Sequence, residues 1–438
     1  MPDIKEIIES YRPDLDPLIE LYKHFHRNPE LSDCEQETSA AIIKELQALE
    51  AFDVTPNIGG FGIAAVLRNG SGPTVLLRAD FDALPVCEDT GLEYASTKRM
   101  KDATGRERPV AHACGHDMHT TALIGAAHLL NDARDKWSGT LVLIFQPAEE
   151  EGTGAQAMVD NGLYKSVPIP DVVLAGHVLP LRAGSIGTRR GFIANSADSM
   201  HITLHGQGAH ASMPDRSVDP IVMAASTIMK LQTIVSREMD PHESSVVTVA
   251  SIHSGDSDNV ISDDATLALD VRTASSRSRE TVLSSIKRIV HHECQASRAV
   301  KEPTFKFTRS YPVTVNDDEA TKTVCDAFTA HFGTEAFDPA CGPCGASEDF
   351  SVLVSSVDRP YCKDLVVSRT ICATLTWFTG FWTYGGADPE LYDKAEAAGT
   401  LQKDIPANHS AKFAPVIMPT LQIGLDAYAA GALAWLAS

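Results

Sequence analysis

GTLVLIFQPAEE (139–150) passes within twelve residues from an unbroken apolar run to a pair of carboxylates. A short run of this composition, closed by proline, reads as a strand buried on both faces. GIAAVL (62–67), TVLLRAD (74–80) and DVVLAGHV (171–178) repeat the pattern. Stretches of helical spacing lie around them: IKEIIESY and TSAAIIKELQAL within residues 3–50, and HTTALIGAAHLLNDAR at 119–134. Buried runs separated by helices predict an α/β fold, a mixed and mostly parallel sheet flanked by helices.

Near residue 195 the pattern changes. SMHITLHGQG (199–208), SVVTVASIH (245–253) and ATLALDVRT (265–273) alternate apolar with polar, the period of strands solvated on one face. Helical patterns run from about Asp219 to Glu238 and through ETVLSSIKRIVHHECQAS (280–297). This order predicts a small ferredoxin-like α/β sandwich, inserted as residues 193–306 into a larger domain made of 1–192 and 307–438.

The 438 residues exceed what one core usually supports, in keeping with two domains. A formal net charge of −21 argues against nucleic acid or an anionic membrane as partner. No apolar core of a leader follows Met1, and no run of about 18 apolar residues occurs, so a cytoplasmic protein with a small-molecule ligand is expected. Nine scattered cysteines fit reduced thiols. Cys341 and Cys344 form a C-x-x-C, but in a glycine-rich loop rather than at the strand-to-helix junction that redox pairs need.

Ligand-type side chains are densest in AHACGHDMHTTALIG (111–125), which holds His112, Cys114, His116, Asp117 and His119. Thiolate and imidazole together favour zinc or a similar transition metal. QPAEEEGTGA (146–155) places Glu149 and Glu150 at the C-terminal end of a buried strand, where open α/β sheets bind ligands. One of the two can hold a metal while the other serves as general base. His177 ends VVLAGHV, His409 lies between turns in IPANHSAKFAP, and Asp80 and Asp82 end TVLLRADFDALP. Carboxylates so placed can bind a metal or orient a metal-bound imidazole. Each of these residues alone has a plainer reading as a satisfied or solvated polar group. Several strand ends converging with Cys, His, Glu and Asp do not.

HRNPELS (26–32), RADFDALPV (78–86), HACGHDMHT (112–120), QPAEE (146–150), GHVLP (176–180), GQGAHASMP (206–214), NVISDDATLALDVRT (259–273) and SEDFSVL (347–353) run in order along nearly the full length. In this the chain resembles the M20 family of metallopeptidases and amidohydrolases, in the branch of hippurate hydrolases, aminoacylase-like enzymes and indole-acetyl-amino-acid hydrolases. The resemblance implies two divalent metal ions (zinc, manganese or cobalt), with Cys114 bridging them and His116, Glu150, His177 and His409 as the other ligands. It implies Glu149 as general acid/base and Asp82 as a support behind the ligands. His210 would reach the active site from a partner subunit and stabilise the oxyanion, and Asn259 and Arg272 would hold the substrate carboxylate. The implied reaction is metal-dependent hydrolysis of the amide bond of an N-acyl amino acid, in a homodimer formed through the inserted lid and dimerisation domain. Two other readings use the same scaffold: a dipeptidase or carboxypeptidase, and a silent small-molecule-binding protein, against which the presence of Glu149 argues.

One stretch departs from the family pattern. Relatives run from a segment like VDRPYC directly into a strand like FWTYGG, whereas here about Lys363 to Gly380 intervene. The stretch is apolar, without charge after Arg369, and reads as an insert, a long loop that needs explaining. We read it as a translated intron, because Cys-Lys, Leu-Thr and Thr-Gly can encode a splice donor, a branch point and an acceptor. Sequencing the transcript should show these codons removed in part of the cDNA; cDNA that retains them throughout would overturn the reading.

Overall fold

The computed structural model describes residues 3–355 and 378–437, and it divides into two compact units. One takes in the chain up to Ile193, then Val315–Pro343 and the part from Phe350 onward; the other comprises Ala194–Thr314 and Cys344–Asp349.

The first unit is built on an eight-stranded sheet: β1 (Asp53–Ile58), β2 (Gly62–Asn69), β3 (Thr74–Asp80), β4 (Gly139–Gln146), β5 (Val172–Arg182), β6 (Ile186–Thr188), β7 (Phe337–Asp338) and β8 (Phe378–Ala387), in the spatial order β1-β2-β4-β3-β5-β8-β6-β7. The pairs β4/β3, β3/β5 and β5/β8 are parallel, so the centre of the sheet has one direction and its C-terminal ends face one way. The buried runs of the sequence become these central strands, because a run apolar on both faces must be covered on both. One core packs helices His116–Asp132 and Ile417–Leu436 on the sheet, and another packs Phe350, Leu353 and Phe381 on the opposite side. A Cβ at Gly125 would come within 2.4 Å of Leu425, so glycine there is what allows the two covering helices to approach.

Apolar content reveals burial and not direction. GIAAVL is antiparallel to both its neighbours, forming a hairpin with β1 across the Gly59-Gly60 turn. β1 itself, DVTPNI, is mostly exposed and holds Pro56, so it carries no buried-strand signature. The assigned insert also needs correction at its end. Phe378–Gly380 are the first residues of β8 and pair with Val172–Leu174 in the centre of the sheet; residues 363–377 lie outside the described residues.

The second unit is a βαββαβ sandwich: strand Gly191–His205, helix Pro220–Arg237, strands Ser245–His253 and Asp264–Thr273, helix Ser276–Ala296 and strand Thr304–Tyr311. Its four main strands pair antiparallel, with Ser245–His253 at one edge and Thr304–Tyr311 at the other, and the short strand Cys344–Ser347 adds a parallel pairing with Gly191–His205. That last strand belongs to the small sheet, so the chain returns to the first unit at Val315 and not near residue 307. TFKFTRSY faces solvent along most of its length, and its apolar residues do not mark it as a core strand. Cys344 opens the strand Cys344–Ser347 and no helix, so the C-x-x-C lacks the geometry of a redox pair. Among the described residues no helix is long and apolar enough to cross a membrane.

Three distant segments of the first unit meet at Asp426. Arg12 forks onto both its oxygens (2.8 and 2.7 Å) and His331 Nε2 lies 3.0 Å from one of them. Asp426 is buried, so Asp426→Ala would leave a half-buried guanidinium without its counter-charge. We expect a loss of about 2–3 kcal/mol, discounted for the exposure of Arg12, read as a lower urea midpoint at unchanged m-value.

Candidate metal centre

The C-terminal ends of β3 and β4, the middle of β5 and two loops bring the ligand-type residues together. Three of the groups in which one atom of each residue lies within 4.8 Å of the others are Cys114, His116 and His177; Cys114, Glu150 and His409; and His116, Glu149 and Glu150. The first two share the Cys114 sulfur. It lies 3.5 Å from His177 Nε2, while Glu150 Oε1 lies 3.8 Å from His116 Nε2 and 3.4 Å from His409 Nε2.

Several of the candidate ligand residues are held by groups behind them. His116 Nδ1 donates to the Asp82 backbone carbonyl (3.0 Å) and to Asp82 Oδ1 (3.1 Å), which directs Nε2 to the centre. The other Asp82 oxygen accepts the Glu150 amide N–H (3.0 Å) and the Ser32 hydroxyl (2.7 Å). His177 Nδ1 donates to the Val178 carbonyl at 2.7 Å, turning its Nε2 toward Cys114. His409 is held in the left-handed region, φ 69°, with its amide on the Ala113 carbonyl (2.7 Å). Its side chain is 55% exposed, unlike the buried His116 and Glu150.

The donor set suits a transition metal on two grounds. His116 Nε2 and Glu150 Oε1 are buried without a hydrogen-bond partner, a costly arrangement unless a cation joins them. Burial opposes ionisation of the Cys114 thiol, and so does the Glu150 carboxylate, but the His177 and His116 imidazoles beside it bring its pKa down to about 5. A thiolate is the form that binds metal. Sulfur, imidazole and carboxylate together match zinc and its neighbours in the first transition row.

Other residues of the histidine-rich segment are otherwise engaged. His119 Nδ1 pairs with Asp80 Oδ1 (2.6 Å) and Nε2 accepts the Val178 amide N–H (2.8 Å), so neither nitrogen is left for a metal. Asp80 is in turn bound by Arg78 at 2.7 Å. His112 is buried, and that burial holds its pKa down to about 4.

Sequence reasoning passed over Asn408. Its amide donates to the carbonyls of Cys114 (3.2 Å) and Val178 (3.3 Å) and lies 3.7 Å from the Cys114 sulfur, tying the His409 loop to the centre. Adjacency to His409 is the one signal that could have found it.

The remaining sequence candidates lie in the second unit. His210, exposed, sits on the short strand Ala209–His210 paired with Val260–Ile261. Its Nδ1 accepts the Ser212 amide N–H (3.1 Å), so the neutral ring carries its proton on Nε2. Asn259 is exposed and accepts from the Ser257 hydroxyl (2.8 Å). Arg272 is ion-paired: Nε donates to Asp270 Oδ1 (2.9 Å), and a terminal nitrogen donates to Ser347 Oγ (2.9 Å).

The pattern of peptidase family M20/M25/M40 matches residues 76–371, and the chain belongs to that family. With that membership it is a hydrolase of amide or peptide bonds. It is 37% identical to an N-acetyl-L-cysteine deacetylase of Bacillus subtilis over 78% of each chain. It is 36% identical to a hippurate hydrolase of Campylobacter jejuni over 77% of this chain and 85% of the relative. Among solved structures, the Bacillus subtilis YXEP protein, described as a dinuclear metal-binding peptidase of the M20 family, superposes with a TM-score of 0.70 at 25% identity, covering 97% of this chain and 98% of that one.

Behind the centre, His26 bridges two buried carboxylates, with Nδ1 2.6 Å from Asp117 and Nε2 3.1 Å from Glu88. Burial alone lowers a histidine pKa, but the hydrogen bonds to Asp117 and Glu88 outweigh it and raise His26 to about 9. A raised folded-state pKa stabilises fully below the unfolded value of about 6.5, and the contribution is lost as pH rises through 9. The stability gap between the native protein and His26→Gln should therefore be widest near pH 6 and close by pH 9.5, read from urea midpoints across that range.

Proposed function

We propose that this chain hydrolyses the amide bond of N-acyl amino acids, giving a carboxylic acid and a free amino acid, with two divalent metal ions at the centre. The observation that carries the reading is the Cys114 sulfur shared by two ligand triads with Glu149 alongside. One metal would be held by Cys114, His116 and His177, the other by Cys114, Glu150 and His409, and Asp82 would fix His116 and Glu150 from behind. Such a pair, when bound, supplies Lewis-acid polarisation of a carbonyl and acidifies water. The similarity to a deacetylase of N-acetylcysteine and to a hippurate hydrolase supports an N-acyl amino acid as substrate.

Glu149 takes the proton of the attacking water on its carboxylate and delivers it to the nitrogen of the leaving amine, so one group serves as base and then as acid. It is buried at 5% exposure, which keeps bulk water from competing for that proton. For residues of the second unit we propose the roles carried by the family resemblance. His210 of the partner subunit donates its Nε2–H to the developing oxyanion, and Asn259 and Arg272 hold the substrate carboxylate. The homodimer reading is supported by the edge strand Ser245–His253, which shows Val246 and Ile252 to solvent, and by exposed Val222 and Met229 on helix Pro220–Arg237. Light scattering should give twice the chain mass; a monomer at micromolar concentration would refute the dimer.

The reaction is tested with a panel of N-acetyl, N-benzoyl and indole-acetyl amino acids beside dipeptides. Chelation should abolish turnover, and zinc, manganese or cobalt should restore it. Glu149→Ala should lower kcat at least about 100-fold with metal content unchanged. Turnover indifferent to chelator would overturn the metal mechanism, and exclusive cleavage of dipeptides would make the chain a peptidase.

A further inference from the structure

HRNPELSDCE, which precedes the helix Gln36–Ala48, supplies no metal ligand, yet it reaches the centre through a buried acid. We propose that Glu35 is a positioning residue for Glu149: its carboxyl accepts the amide of Ala148 and holds the left-handed turn that presents the general base. The proposal rests on the reading of Glu149 as the proton carrier.

Ala148 has φ 48°, a conformation that side chains with a Cβ adopt only when their surroundings hold them there. On its carbonyl side the hold is local: Thr153 and Gly154 donate their amides to Ala148 O at 3.3 and 3.1 Å. Gly154 is required for this, since a Cβ there would fall 1.6 Å from the Pro147 carbonyl oxygen. On its amide side the hold comes from 113 residues away, where Glu35 Oε1 accepts the Ala148 N–H at 2.9 Å. The Glu150 amide is bound in the same way by Asp82 Oδ2 at 3.0 Å. Glu149 is therefore mounted between two backbone amides, each fixed by a buried carboxyl from a different segment.

Glu35 gives up its ordinary work to do this. It is the N-cap residue of the helix Gln36–Ala48, where a polar side chain usually caps the free amides, and its side chain makes no capping bond. It is fully buried, and Oε2 has no hydrogen-bond partner, an arrangement that costs stability. Burial first, and the nearby Asp82 charge second, push its pKa up to about 8, so at neutral pH it is mostly the uncharged acid. Glutamine is then its close mimic, keeping the acceptor that Ala148 needs. Aspartate keeps the acid but falls one methylene short.

Glu35→Gln, Glu35→Asp and Glu35→Ala are compared in kcat and KM on an N-acetyl amino acid and in bound metal by mass spectrometry. Amide hydrogen exchange of peptides covering residues 145–152 is measured in the chelated protein. The expected result for Asp and Ala is a kcat lowered about 10- to 100-fold with KM within about threefold, both metals retained, and faster exchange at 145–152. Gln should stay within about threefold of the native enzyme and exchange like it. Native kcat and native exchange in Glu35→Asp would overturn the proposal, as would a Gln variant as impaired as Asp, or loss of metal in Glu35→Asp. Should the Ala variant fail to fold, the Asp and Gln pair decides alone. Glu149→Ala measured alongside keeps the two readings apart: activity retained there defeats the role of Glu149, while the exchange data still decide whether Glu35 fixes the turn.

Discussion

Asp82 is the carboxylate on which the geometry of the centre depends. It stands just beyond β3 and has no water to satisfy it, so every lone pair must find a donor in the protein. Those donors are the His116 ring, the Glu150 amide and the Ser32 hydroxyl, and each belongs to a separate stretch of chain. One side chain thereby sets the direction of the His116 ring, the position of Glu150 and the place of the N-terminal loop. A strand end in a parallel sheet is well suited to this, because β3 is locked by β4 on one side and β5 on the other.

The loop that Asp82 holds is itself a bracket for the site. The Glu30 carbonyl accepts the Ala83 amide at 2.8 Å, Leu31 forms a parallel bridge with Ala83, and the Glu30 side chain accepts the Thr38 amide and hydroxyl. With His26 on Asp117 and Glu35 on Ala148, a segment remote in sequence touches three places around the centre: the end of β3, the start of helix His116–Asp132 and the turn after β4. A site whose own residues sit on loops gains rigidity this way without further secondary structure.

Composition and order carried much of this. The buried runs LVLIF and VVLAG declared central strands because apolarity on both faces has no other outlet; Glu149 and Glu150 follow the end of the first, whereas His177 sits mid-strand in the second, which continues to Arg182. The alternating strands and two helices of the smaller unit were equally legible. What stayed hidden were properties that depend on partners far away in the chain. The direction of β2 is set by its hairpin, and β1 and Thr304–Tyr311 face solvent and so lack a buried pattern. His119 and His177 look equivalent in sequence, yet one has both nitrogens occupied by Asp80 and the Val178 amide, and the other turns a nitrogen to Cys114. Glu35 carries no mark in the sequence, and only its burial against Ala148 separates it from the exposed Asp33 and Glu37 on either side.

His409 differs from the other members of the centre in one respect that bears on how the site is filled and emptied. It is the solvent-facing member, carried on a loop in a left-handed conformation and steadied by Asn408. The two groups are therefore unequal: the one completed by His409 opens further to water than the one made of Cys114, His116 and His177, of which His177 is itself partly exposed. With ions held as proposed, exchange with the medium should be easier at the group completed by His409 than at the other. Competing ions would then first meet the group that His409 completes, the most exposed of the candidate ligands.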